Sequence, residues 1–226
     1  MKKFGLCTIL SLVAFCLLTT ASPLRVYADS VTLTLENVYP GNNSGGVYTY
    51  PYNFSIDGSS STTALMCYIY FDEIYEGETW TATVTPINSS SSSKDLELAY
   101  LFSVASTSTS APTVADAQWA AWELFDTDDP GLTAPDQNGV SQTGVNTELS
   151  NAAFAISSDP SAFYSGYVLY TPYSGWPLGD GIPQSFIGDP PPAPEPSSLL
   201  LFGTGLLGLA FVAFRKARPS GMVSHS

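Results

Sequence analysis

Few side chains in this 226-residue sequence could do chemistry, and the short supply narrows the options. The one histidine, His225, lies beyond the basic run at Arg215, Lys216 and Arg218, so the central chain holds no imidazole for a Ser-His-Asp or Cys-His nucleophile. No cluster of histidines or cysteines has zinc-ligand spacing. Cys7 and Cys16 fall in an N-terminal apolar run, which leaves Cys67 with no partner for an internal disulfide. Carboxylates are plentiful by contrast. Asp72, Glu73, Glu76 and Glu78 surround a turn, and Asp126, Asp128 and Asp129 open a stretch ending at Gly131 that has the start of a calcium-loop spacing. Gln137 stands where a bidentate Glu would close such a loop, so solvated acids are the default reading, calcium the next and glycosidase carboxylates the last. Neither a resident metal, nor a cofactor, nor enzymatic turnover is expected.

Positioning these residues requires strands first. Val31, Leu33 and Leu35 alternate with threonines, and Tyr48, Tyr50, Tyr52 and Phe54 recur at period two over 47–54, with turn residues from Pro40 to Gly46 between the two runs. Residues 65–70, 79–85 and 164–170 have strand composition as well. Residues 96–104 are apolar and dissolve into a Ser/Thr-rich loop reaching Ser110. A helix follows: Ser110 can cap, Pro112 suits the first turn, and Val114, Gln118, Trp119, Trp122 and Phe125 recur at three- and four-residue steps. A second helix is predicted over 147–156. The expected class is mainly β, a β-sandwich or open barrel with a short helical insertion.

Both ends read as targeting segments. Lys2 and Lys3, the apolar run over 4–18 and the sequence Val26-Tyr27-Ala28 make residues 1–28 a signal peptide, with cleavage after Ala28 and Ala21 as the second choice. Cys16 follows Phe15, where a lipoprotein site needs a small residue. What remains is an acidic exported domain over 29–188, in which Lys94 is the one basic residue. Nineteen acids lie between Asp29 and Asp189, for a net charge near −18. Such a surface repels a phosphate backbone, which excludes nucleic acid as a partner.

Beyond it, a proline-rich spacer over 189–198 leads to an apolar run over 199–214, predicted to be a transmembrane helix, and a basic tail over 215–226. Arg215, Lys216 and Arg218 would stay cytoplasmic and act as a membrane stop, leaving the domain outside. Pro194-Glu195-Pro196, the glycine-dotted apolar segment from Leu201 to Leu209 and the basic end together resemble the PEP-CTERM sorting signal. That resemblance implies a substrate of an exosortase. The chain would be held in the inner membrane with its domain in the periplasm, then cut at the triplet and passed to the cell surface or an exopolysaccharide-rich matrix.

A second resemblance lies in the middle of the chain. Ala117-Gln118-Trp119-Ala120-Ala121-Trp122, with Met66-Cys67-Tyr68 upstream, is similar to the Cys and apolar-Gln-x-x-apolar-Trp motifs of bacterial adhesin thioester domains. It implies that Cys67 and Gln118 join in an internal thioester, sheltered by Leu65, Met66, Trp119 and Trp122, which a target amine then opens. The alternative is a small buried hydrophobe at Cys67 and an amphipathic helix with a polar edge at Gln118.

Two functional readings follow. The leading one is a non-catalytic structural or binding module at the cell surface or in the extracellular matrix, with exopolysaccharide as a partner. The other is a covalent adhesin that uses Cys67 and Gln118 against surface amines.

Overall fold

The computed structural model describes residues 29–39, 43–126, 132–163, 166–173, 181–191 and 202–210. Eight strands and three α-helices are found among the described residues of the unit Tyr27–Pro192. The strands are β1 (Ser30–Val38), β2 (Asn43–Ser44), β3 (Val47–Tyr48), β4 (Tyr52–Ile56), β5 (Thr62–Cys67), β6 (Thr79–Pro86), β7 (Val168–Pro172) and β8 (Phe186–Gly188). The helices are α1 (Ser93–Thr107), α2 (Ala111–Phe125) and α3 (Gln142–Ser158), followed by a 3-10 turn at Pro160–Phe163.

Six strands close a barrel in the order β1-β4-β5-β8-β7-β6, each antiparallel to its neighbours. Alternation in β1 and β6 sends Val31, Leu33 and Leu35, and Trp80, Ala82 and Val84, to the inside, while threonines face out. The interior centres on Phe54, whose ring meets Trp80 at 5.6 Å and Phe186 at 4.7 Å in edge-on contacts. A closed sheet presents no free edge, so the expected sandwich or open barrel is corrected to a closed one.

The helical part is larger than a short insertion. Helix α1 takes up residues 96–104, and it starts where the Ser92 hydroxyl accepts from Asp95 N (3.2 Å) while the Asp95 carboxylate accepts from Ser92 N (3.0 Å). Leu96, Leu98, Ala99, Leu101 and Phe102 are all buried in α1, which is why no single apolar stripe advertised it. The second predicted helix begins five residues earlier than expected, behind the Ser141 cap of α3.

The run over 47–54 is likewise not one strand. It breaks into β3 and β4, Tyr48 is 46% exposed and Tyr52 is buried, so the four aromatic residues do not share a face. The β2–β3 hairpin turns on Gly45 and Gly46 at φ +70° and +87°. Only a residue without Cβ fits at Gly45, since a methyl there would come within 2.8 Å of the Trp119 ring.

The signal peptide expected over 1–28 lies outside the described residues, as do Pro194, Glu195, Pro196, Arg215, Lys216 and Arg218. Of the transmembrane helix expected over 199–214, residues 202–210 are described and helical. No helix among the described residues is long and apolar enough to cross a membrane. The expectation of a membrane-spanning helix is therefore not supported by the described structure.

Candidate functional site

Cys67 ends β5, paired with Phe186 of β8, and is fully buried. Helix α2 crosses this end of the barrel and carries Gln118, also fully buried, inward. Its carboxamide is held at both atoms: Nε2 donates to the Cys67 carbonyl at 2.5 Å, and Oε1 accepts from Tyr50 N at 3.2 Å. Two residues separated by 51 positions, one from the barrel and one from the helices, thus meet through a hydrogen bond in the interior. The Tyr50 N–H is directed to this carboxamide, and Tyr50 itself falls between β3 and β4.

The surroundings are largely apolar. Leu65 and Met66 are fully buried, Trp119 and Trp122 nearly so, and the two indoles meet edge-on at 5.2 Å with Tyr70 against both. Trp119 is fixed by donating Nε1–H to Ser44 O at 3.4 Å.

The Cys67 thiol donates to Ile69 O at 3.0 Å, and its pKa is pushed up to about 12, chiefly because burial penalises the thiolate. The Trp122 indole N–H opposes that shift from nearby, yet it finds no acceptor at full hydrogen-bond geometry. At neutral pH the sulfur is therefore a protonated, poorly nucleophilic thiol towards anything arriving from solvent. A carboxamide whose oxygen already receives a backbone N–H is polarised in the sense that favours attack at its carbon. Tyr50 was invisible as a site residue in the sequence, because its contribution is a main-chain donor.

The acids over 72–78 are brought together on the loop after β5, and most are engaged locally. Glu73 accepts from Tyr75 OH (2.7 Å), Glu76 from Val38 N (3.2 Å) and Glu78 from Tyr75 N (3.0 Å). Asp72 is raised above the ordinary carboxylate range by partial burial and then by the charge of Asp126. Of the calcium candidates, Asp126 is described, whereas Asp128 and Asp129 lie outside the described residues. No group of three metal-ligating side chains occurs among those described.

Comparison with known proteins bears on the other end of the chain. No curated protein and no solved structure matches it. Residues 192–216 match the PEP-CTERM protein-sorting motif, over the segment where the sequence showed the triplet, the apolar run and the basic end. The motif implies an exported chain that an exosortase sorts.

Proposed function

We propose that the exported domain is a non-enzymatic cell-surface module that attaches covalently to target amines through an internal thioester between Cys67 and Gln118. One observation carries the reading: the buried Gln118 carboxamide is clamped between the Cys67 carbonyl and the Tyr50 N–H. A glutamine that served only as the polar edge of a helix would face water, yet this one is fully buried.

The chemistry balances without a co-reactant. Cys67 Sγ bonds to Gln118 Cδ, the C–N bond breaks, and the thiol proton leaves with the nitrogen as ammonia. An incoming amine then takes the acyl carbon, forms an amide through Gln118 and returns the thiol to Cys67. Proximity supplies the drive and exclusion of water preserves the product. After exosortase processing at Pro194-Glu195-Pro196, the acidic domain would act at the cell surface or in the matrix.

The test is the intact mass of the exported protein. The expected mass is one ammonia below that of the unmodified chain, with the deficit absent in Cys67→Ala and methylamine adding at Gln118 of the wild type. A full-mass protein whose Cys67 alkylates stoichiometrically once unfolded would overturn the proposal and return the domain to non-covalent binding.

A further inference from the structure

Trp122 lies one helical turn beyond Gln118 on the same face of α2, the face that meets the end of β5 at Cys67. Its ring is buried and meets Tyr70 edge-on at 5.2 Å, one residue beyond Ile69, whose carbonyl receives the Cys67 S–H. The indole Nε1 is itself buried and has no hydrogen-bond partner among the described residues. A buried N–H left unused is costly and asks for a role. The want of a partner decides nothing alone, since Trp80 Nε1 shares it among the rings of Phe54 and Phe186. What sets Trp122 apart is its neighbour. Of the groups that favour a negative sulfur at Cys67, the indole comes first and the Ile69 main chain second, whereas burial and the Asp72 carboxylate oppose it.

We propose that Trp122 acts directly in the thioester chemistry, its Nε1–H donating a hydrogen bond to the Cys67 sulfur whenever that atom carries negative charge. The inference rests on the thioester reading and supplies the donor that reading lacks. As Cys67 Sγ bonds to Gln118 Cδ, the sulfur gives up its proton. As an amine displaces it, the sulfur leaves with the electron pair of the broken C–S bond, and a proton of the amine then returns to it. In both directions charge passes through the sulfur in an apolar interior, where a donor already in place stabilises it most. The indole keeps its own proton throughout. In the resting thiol the sulfur is neutral and its S–H is committed to Ile69 O, so the donor stands idle, in keeping with an indole that has no partner.

The experiment follows the opening of the thioester by methylamine in the exported chain, read by intact mass against time. Trp122→Phe, and benzothienylalanine in place of Trp122, which keeps the shape of the indole and lacks its N–H, should each slow the opening about tenfold or more. An unchanged rate with the benzothienyl ring would overturn the proposal, even where Trp122→Phe is slow or misfolded by circular dichroism. A second readout needs no thioester. In the Gln118→Ala chain with selenium in place of the Cys67 sulfur, ionisation of the selenol should move the Trp122 indole proton downfield in NMR spectra while those of Trp80 and Trp119 stay in place. A selenol that titrates without moving the Trp122 proton overturns the proposal as well. Full mass in the wild type together with a responsive indole sinks only the thioester. A mass deficit together with a silent indole and an unchanged rate sinks only the donor.

Discussion

Gln118 is the residue on which the interior turns. Its side chain gives one hydrogen bond to the strand end at Cys67 and takes one from Tyr50 N. In a Cys67→Ala background, where no cross-link can form, Gln118→Ala removes both bonds and leaves space around a fully buried position. The expected loss of stability is about 2–4 kcal/mol by urea unfolding. A loss under about 0.5 kcal/mol would show that the clamp contributes nothing. Cys67 was legible as a lone exported cysteine and Gln118 as a residue of a capped helix. Tyr50 was not, because it acts through its backbone N–H.

At the scale of elements, α1, α2 and α3 each start behind a serine, at Ser92, Ser110 and Ser141. The Ser92 cap is reciprocal with Asp95, whereas the Ser110 hydroxyl reaches Thr113 N only at 3.5 Å. Ser92→Ala should therefore cost about 1 kcal/mol and Ser110→Ala measurably less, read from the shift in thermal midpoint. Equal costs would contradict the geometry. The same elements show what sequence patterning can carry. β1 and β6 were readable because one face is buried and the other wet, giving strict alternation. Helix α1 is packed on most of its faces and loses that contrast, although its capping box was present in the letters Ser92-Ser-Lys-Asp95. The three-residue strand β8 is too short to show any period, and it is the strand that joins β5 to β7 and closes the barrel.

For the whole molecule the dominant quantity is charge. Asp72, Glu97, Asp116 and Glu148 are all raised, in each case first by desolvation. The folded state thus holds these protons to higher pH than the unfolded chain does. Their stabilising contribution is complete below the unfolded carboxylate range and is lost as pH rises through the raised folded values. Neutralising part of the exported domain's net charge near −18 acts in the same direction. Lowering the pH from about 7.5 to about 5 should raise the thermal midpoint by a few degrees; a midpoint that falls over that range would contradict the assignment.

The clamp across barrel and helix bundle also has a bearing on time. Cys67 and Gln118 meet only where α2 has settled on the end of β5, so a chain still threading through a translocon cannot bring them together. A bond made there would be a dated receipt: each molecule lacking its ammonia has completed its fold at least once, wherever it is later found.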